Sequence, residues 1–231
     1  MKVRAYMFTI NRIIQDKKCF IYESSEAEAL LIQAVDEHDL EALDREVEII
    51  KELTHTSFTL AAFLIGDWNR ELSPWEAPAV FGKESFGGRA PETLSFIIDS
   101  LLPELNRTGN KRCYIGGYSL SGLFALWAVY QTDLFRGAAA VSPSVWFPGW
   151  DSFMESGAIL SPEVYLSLGD KEEKTKNKTM AAVGKNIRRQ YELLRGTDTV
   201  TRCELEWNPG NHFAEPERRT AKGFAWLLNG Q

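Results

Sequence analysis

The spacing of apolar and polar residues along this chain of 231 residues changes between its N-terminal part and the remainder. Residues 2–10 alternate loosely between apolar and polar, which is typical of a strand with one solvated face. Residues 17–22 form a second such stretch, and together the two predict an antiparallel hairpin at a sheet edge. Residues 29–35 and 57–65 are almost continuously apolar, which favours strands that are buried on both faces.

The segment between these two predicted strands has a different spacing of apolar residues. Apolar residues recur every three or four positions from Leu40 to Leu53, which predicts an amphipathic helix with Asp39 as its N-cap. From residue 29 onward, strands and helices alternate five times, so we expect a mostly parallel sheet with helices on both faces. We find no repeat or linker, and we therefore predict a single α/β domain over residues 1–231. The later strands are predicted at 137–141, 164–168 and 199–207, and the later helices at 91–102, 123–130, 180–194 and 216–228.

Two loops, 66–91 and 142–150, are rich in large aromatic side chains. A long loop within a compact domain is usually either functional or disordered, and aromatic residues argue against disorder. We interpret both loops as walls of a ligand pocket, the alternative being that they only pack on the core. We expect the substrate to contact residues from these loops and the neighbouring strand end, namely Trp68, Trp75, Tyr118, Trp146 and Trp150.

Composition narrows the classes of function. The net charge is −6 and no basic patch is evident, which argues against a nucleic-acid partner. Three cysteines without paired spacing argue against a disulfide framework or a zinc site, and no metal or organic cofactor is implied. No apolar run reaches the length of a secretory signal or a membrane span, so we expect a cytoplasmic protein without a membrane partner.

The candidate chemistry begins at Gly117-Tyr118-Ser119-Leu120-Ser121, which follows an apolar strand from Arg112 and precedes an apolar helix. A strand-to-helix elbow of the form G-x-S-x-G exposes a serine hydroxyl at the edge of a sheet. Here the last position is Ser121, and Gly122 follows directly. The elbow predicts Ser119 as a nucleophile, although a glycine-rich turn with Ser119 as a helix N-cap would produce the same pattern.

A serine nucleophile needs a base and an acid, which in this architecture follow it in the order acid, then histidine. Of the three histidines only His212 follows Ser119, and it lies in a turn directly after a predicted strand. The acid is expected after the strand 164–168. The residues there leave three candidates open: Asp170, Glu172 and Glu173.

An oxyanion forms during acyl transfer, and backbone N–H groups can stabilise it. The residue after the nucleophile, Leu120, is expected to supply one donor. The second donor is expected from the corner at Val35 and Asp36, where the first buried strand ends.

Several sequence pieces occur together in a particular order. They are Gly116-Gly117-Tyr118-Ser119-Leu120-Ser121-Gly122-Leu123-Phe124-Ala125-Leu126, Leu72-Ser73-Pro74-Trp75 with Phe81-Gly82, Ser142-Pro143-Ser144, Leu168-Gly169-Asp170-Lys171-Glu172 and Gly210-Asn211-His212. In these pieces, which span most of residues 29–229, the chain resembles the esterase branch of the α/β-hydrolases. This branch includes S-formylglutathione hydrolases, feruloyl esterases and enterochelin-type esterases.

The resemblance implies an α/β-hydrolase fold with about eight strands and a serine esterase mechanism. Members of this branch often place the acid three residues after the glycine that ends its strand, which selects Glu172, with Asp170 as the alternative. Two departures concern Ser121, in place of the usual glycine, and Gln33-Ala34-Val35-Asp36, in place of a glycine-rich oxyanion stretch.

The sequence thus favours hydrolysis of carboxylic esters by Ser119, His212 and Glu172 through an acyl-enzyme. One alternative keeps the same residues in an acyltransferase, a thioesterase or a peptidase. Another is a hydrolase fold without turnover that serves as a binding module. The expected partner is a small-molecule ester, and the sequence is compatible with a homodimer.

Overall fold

The computed structural model describes residues 7–230 and centres on an eight-stranded sheet. The strands are β1 (Met7–Ile14), β2 (Lys17–Ser24), β3 (Ala29–Val35), β4 (Phe58–Leu64), β5 (Glu76–Ala77), β6 (Phe86–Gly87), β7 (Arg112–Tyr118), β8 (Gly137–Val141), β9 (Glu163–Gly169) and β10 (Arg202–Asn208). The short strands β5 and β6 form a separate two-stranded antiparallel sheet. The helices are α1 (Leu43–Leu53), α2 (Trp68–Glu71), α3 (Ala90–Phe96), α4 (Leu102–Leu105), α5 (Ser119–Ala128), α6 (Trp150–Ser156), α7 (Lys178–Ala181), α8 (Val183–Arg195) and α9 (Pro216–Leu228).

The strand order of the large sheet is β1-β2-β4-β3-β7-β8-β9-β10. Neighbouring strands from β4 to β10 are parallel, whereas β2 is antiparallel to both β1 and β4. The predicted mostly parallel sheet and the edge hairpin are therefore confirmed over the described residues, although the sheet is mixed. A two-residue connection permits only antiparallel pairing of β1 with β2, because parallel neighbours need a long crossover. Residues 2–6 of the predicted first strand lie outside the described residues.

The strands carry a hydrophobic core on each face of the sheet. Along β3, Leu30 and Ile32 belong to one core, while Leu31 and Val35 belong to the other, because successive side chains point to opposite faces. Helices α1 and α9 cover the second core, and α3, α5, α6 and α8 cover the first. The predicted placement of helices on both faces is thus observed. Within residues 7–230, none of the helices combines the length and the apolar character that crossing a bilayer requires.

The prediction that Asp39 caps α1 is wrong. A 3₁₀ turn occupies Asp39–Glu41, and α1 begins after Ala42 without a side-chain cap. The carboxylate of Asp36 accepts hydrogen bonds from the N–H groups of His38 and Asp39, at 2.8 and 2.9 Å. Asp36 therefore closes the turn that the pattern assigned to Asp39, since a short acidic side chain readily bonds backbone donors two or three residues ahead.

The helix predicted over 91–102 consists of α3, a π-helical turn over Ile97–Leu101 and α4. Pro103 lies in the first turn of α4 and has no N–H to donate to the carbonyl of Asp99. The local widening into a π turn accommodates this proline without ending the helix. The loop 66–91 likewise contains ordered structure, since α2, β5 and β6 fall within it.

Candidate active site

Ser119 lies at the junction between β7 and α5, where its φ of 58° falls in the left-handed region. This conformation is costly for a residue with a side chain, and it persists only where the surroundings hold it. The N–H of Ser144 donates to the Ser119 carbonyl at 3.0 Å. A Cβ atom at Gly122 would lie 2.8 Å from the carbonyl oxygen of Gly117 and 2.9 Å from that of Val141. The corner therefore needs a glycine at position 122, one residue later than in the usual motif.

Ser121 occupies the position where the usual motif has glycine. Its side chain is fully buried, and its hydroxyl donates to the Ala34 carbonyl at 2.9 Å, at the end of β3. The serine therefore fits the elbow and ties α5 to the neighbouring strand.

Three side chains from distant parts of the chain form a continuous hydrogen-bonded series. Nε2 of His212 lies 3.0 Å from Oγ of Ser119, and Nδ1 of His212 lies 2.7 Å from Oε2 of Glu172. Ser119 follows β7, Glu172 begins a 3₁₀ turn after β9, and His212 lies in the loop after β10. Because these strands are parallel, their carboxyl ends bring the three residues to the same edge of the sheet.

The carboxylate of Glu172 is buried and has several partners. Its Oε1 accepts from the hydroxyl of Ser142 at 2.7 Å and from the N–H of Gly169 at 2.8 Å. Burial alone raises the pKa of Glu172. The hydrogen bonds and charge interaction with His212, together with the bonds from Ser142 and Gly169, outweigh burial and hold the pKa below its ordinary value. Glu172 is therefore held in its ionised form beside the imidazole.

The other two acids of this loop bind elsewhere. The carboxylate of Asp170 accepts from the Gly210 N–H at 2.8 Å, on the loop that leads to His212. Glu173 forms a two-point ion pair with Arg188, at 2.8 and 3.0 Å. The structure thus brings Glu172 to the imidazole and gives Asp170 and Glu173 different partners.

Arg219, on α9, is a residue that the sequence analysis missed. It is only 2% exposed, and it donates to the Pro209 carbonyl at 2.8 Å and to the Tyr118 hydroxyl at 3.1 Å, while its Nη1 lies 3.3 Å from Oε1 of Glu172. The Tyr118 hydroxyl in turn donates to the His212 carbonyl at 2.7 Å. A charged residue within the buried stripe of α9 was the available signal, because arginine is rarely fully buried unless it is paired.

A pocket of about 580 Å³ opens over Ser119 and His212. Two of the expected contact residues, Trp68 and Trp146, lie on its wall, whereas Trp75, Tyr118 and Trp150 do not. Trp75 stacks on Trp150 at 6.4 Å and donates its indole N–H to the Pro148 carbonyl. Trp75 and Trp150 therefore belong to an aromatic cluster that supports the loops from behind.

One side of the pocket is aromatic. The rings of Phe81, Phe86 and Trp146 pack edge to face or tilted, with centroids 5.8 to 6.3 Å apart. All three line the pocket, and Phe81 is partly exposed at its rim. Such a wall offers apolar surface to a ligand.

The two halves of the expected oxyanion site lie in different surroundings. Leu120 lies on the pocket wall, whereas Val35 and Asp36 do not. The Asp36 N–H instead donates to the Asp39 carboxylate at 3.1 Å, as part of the turn before α1. On the pocket wall, Trp68 and Asn69 of α2 follow β4 and face the same space as Ser119.

Among residues 7–230, no group of three or more His, Cys, Asp or Glu side chains is arranged to hold a metal ion.

Comparison with solved structures finds the same fold in several hydrolases. An IroE-like serine hydrolase from Shewanella oneidensis superposes with a TM-score of 0.77 at 14% identity, over 96% of this chain and 80% of that one. The siderophore hydrolase EstB from Aspergillus nidulans gives a TM-score of 0.71 at 17% identity, over 98% and 96% of the two chains. The siderophore hydrolase EstA from the same organism gives 0.70 at 18% identity, over 99% and 97%.

Sequence comparison finds no such neighbours. No protein-family model matches the chain, and no curated protein matches its sequence. The likeness is therefore one of three-dimensional structure at low identity. The chain therefore shares its fold with these hydrolases, which is the fold that the resemblance of the motifs implies.

Proposed function

We propose that the protein hydrolyses carboxylic esters, with Ser119 as nucleophile, His212 as general base and acid, and Glu172 as the acid that orients the imidazole. The observation that carries this proposal is the pair of contacts made by His212, at 3.0 Å to Ser119 and 2.7 Å to Glu172. Nucleophile, base and orienting group lie at the spacing that acyl transfer through an activated serine requires.

In the proposed reaction, Nδ1–H of His212 donates to Glu172, which leaves Nε2 free to accept the Ser119 proton. The Ser119 oxygen attacks the ester carbonyl carbon, and His212 then returns the proton to the alcohol as the C–O bond breaks. Water attacks the resulting acyl-serine and gives a proton to Nε2. Collapse of the tetrahedral intermediate breaks the bond between the acyl carbon and Oγ of Ser119, releases the acid, and returns the proton from Nε2 to Oγ. Ionised Glu172 stabilises the imidazolium that forms in each half of the cycle.

The Leu120 N–H is proposed as one oxyanion donor, because Leu120 follows the nucleophile and lines the pocket. The pairing of the Asp36 N–H with Asp39 speaks against Asp36 as the second donor in this arrangement. An ester with an apolar or aromatic part suits the wall formed by Phe81, Phe86 and Trp146. Two structural neighbours are named siderophore hydrolases, so siderophore esters belong in the substrate panel.

The experiment compares wild type and Ser119→Ala on p-nitrophenyl acetate and butyrate. We expect release of p-nitrophenol by wild type and a loss of at least about 10³-fold in Ser119→Ala. Ser152→Ala, an exposed serine of α6, is the matched control and should retain full activity. Equal rates for wild type and Ser119→Ala would refute the proposal.

Two further measurements separate the alternatives. A fluorophosphonate probe should label wild type but not Ser119→Ala. If the protein is a binding module without turnover, the probe should label neither wild type nor the variant. Adding a competing alcohol should leave free acid as the main product, while a new ester as the main product would indicate an acyltransferase.

A further inference from the structure

The segment 170–178 borders the pocket and contains seven charged residues among nine. Three are acids and four are lysines: Lys171, Lys174, Lys176 and Lys178. From the sequence alone, we expect this segment to be a solvated surface of mixed charge. In the structure, its acids and its lysines differ in whether they have partners within the protein.

Each acid of this segment already has a partner within the protein. Asp170 accepts from the Gly210 N–H, Glu173 pairs with Arg188, and Glu172 is buried between His212, Ser142 and Arg219. The four lysines are exposed, and no ion pair involves their ammonium groups among residues 7–230. The partner of Asp170 is an uncharged N–H, so its exposed charge remains. Four lysines against this one acid still leave the segment's surface net positive, in a chain whose net charge is −6.

Two of these lysines, Lys171 and Lys174, line the pocket over Ser119. Among the described lining residues, Glu172 is the one acid, and its carboxylate is engaged as above. The other walls are mainly aromatic or apolar, and at the rim Phe213 is 84% exposed with its ring 5.6 Å from that of His212. The pocket thus combines an apolar surface with one positively charged side.

We propose that this pocket selects esters that carry a negatively charged group in addition to the ester, held by Lys171 and Lys174 while the apolar part of the substrate lies on the aromatic wall. The inference rests on the proposed esterase function and adds the charge of its substrate. A fixed positive side attracts anionic ligands and disfavours cationic ones, and it does so less strongly as salt concentration rises. Both lysines belong to the pocket wall, so the proposal places the charged group of the substrate at that wall, on either the acyl or the alcohol part of the ester.

The test compares kcat/KM for ester pairs that differ mainly in charge. On the alcohol side the pair is 4-acetoxybenzoate and 4-acetoxybenzamide, and on the acyl side it is p-nitrophenyl glutarate and p-nitrophenyl valerate. For each protein, kcat/KM for the anionic ester is divided by kcat/KM for the neutral ester. The intrinsic reactivity of each ester cancels when this ratio is compared between wild type and a variant.

We expect the double variant Lys171→Ala/Lys174→Ala to lower this ratio about tenfold in at least one pair, since each exposed charge contributes modestly. Replacing both lysines by Glu should lower it further. The matched control, Lys176→Ala/Lys178→Ala, removes two lysines of the same segment that do not line the pocket, and it should leave the ratio unchanged. The wild-type ratio should also fall as sodium chloride is added.

The outcomes distinguish the two proposals. If wild type cleaves the neutral esters and the ratio is the same in wild type and in both double variants, the charge preference is refuted and the esterase proposal stands. If the control variant lowers the ratio as much as the pocket variant, the general surface charge is responsible and the pocket assignment is refuted. If wild type cleaves none of the four esters and is not labelled by a fluorophosphonate, both proposals fail.

Discussion

The guanidinium of Arg219 lies 3.3 Å from Oε1 of Glu172, the carboxylate oxygen that does not face His212. The other oxygen, Oε2, lies 2.7 Å from the imidazole. The carboxylate is therefore held from both sides, by the buried guanidinium of Arg219 and by the imidazole of His212. Since Arg219 also contacts Tyr118 and Pro209, one side chain connects α9 to β7 and to the loop that carries His212.

Replacing Arg219 by Met should destabilise the protein by about 3–5 kcal/mol, because it leaves the Glu172 carboxylate buried without its cation. The stability of Arg219→Lys should lie between those of Arg219→Met and wild type. An ammonium group retains the charge but cannot reach three acceptors in the way that a forked guanidinium does. Urea unfolding measures the stability of each variant. The exposed neighbour Arg218, changed to Met, is the control. An Arg219→Met protein as stable as this control would contradict the prediction.

Glu172→Gln and Asp170→Asn should differ sharply in rate. The first removes the charge that is proposed to stabilise the imidazolium, and we expect kcat to fall by about 10³-fold. The second keeps an oxygen that can still accept from the Gly210 N–H, so kcat should change by less than about threefold. Both rates are measured on p-nitrophenyl butyrate at neutral pH. A larger loss in Asp170→Asn would transfer the proposed role to Asp170.

The lowered pKa of Glu172 predicts how stability depends on pH. A carboxyl group whose pKa is lower in the folded protein contributes stability in full above its ordinary value of 4.5. This contribution is lost as the pH falls below 4.5 and through the pKa of the folded state. Unfolding free energies measured at several pH values should decline on the acid side of 4.5, and the decline should be shallower in Glu172→Gln. Parallel pH curves for the two proteins would show that Glu172 contributes nothing to this dependence.

Trp68 and Trp75 offer a comparison between a pocket residue and a core residue on the same loop. Trp68→Ala should raise KM for aromatic esters about tenfold with little loss of stability, because Trp68 is half-buried on the pocket wall. Trp75→Ala should cost about 3 kcal/mol of stability, because its ring packs on Phe147, Trp150 and Phe153. Thermal melts and substrate titrations are run on both. If Trp75→Ala alone raised KM, the division between wall and support would be wrong.

The sequence predicted the architecture well because burial on both faces gives parallel strands a continuous apolar run. Residues 29–35 and 137–141 coincide with β3 and β8 for this reason. Ser119 and His212 were inferred from a motif and from residue order, and in the structure Oγ of Ser119 lies 3.0 Å from Nε2 of His212. The choice of Glu172 came from the family resemblance, since three neighbouring acids cannot be distinguished without knowing which of them points inward.

What the sequence left out depends on contacts between distant residues. Trp75 packs on Trp150 and Phe153 of α6 and does not line the pocket. The local sequence pattern does not predict these contacts. Arg219 lies 47 residues from Glu172, and the two meet only because α9 packs beside the ends of β7 and β9. The turn that occupies the Asp36 N–H is reciprocal, since the Asp39 carboxylate accepts from the Asp36 N–H and the Asp36 carboxylate accepts from the Asp39 N–H. The apolar spacing of α1 does not reveal this exchange.

The strand that leads to His212, β10, is the last in the sheet, and among residues 7–230 it pairs with β9 alone. A strand anchored on one side can detach at a lower free-energy cost than one enclosed by two neighbours. Such fraying would carry the imidazole away from the serine while the rest of the sheet stayed intact. We therefore expect heating to break the contact between Ser119 and His212 before the whole protein melts, because only the margin of the sheet has to open.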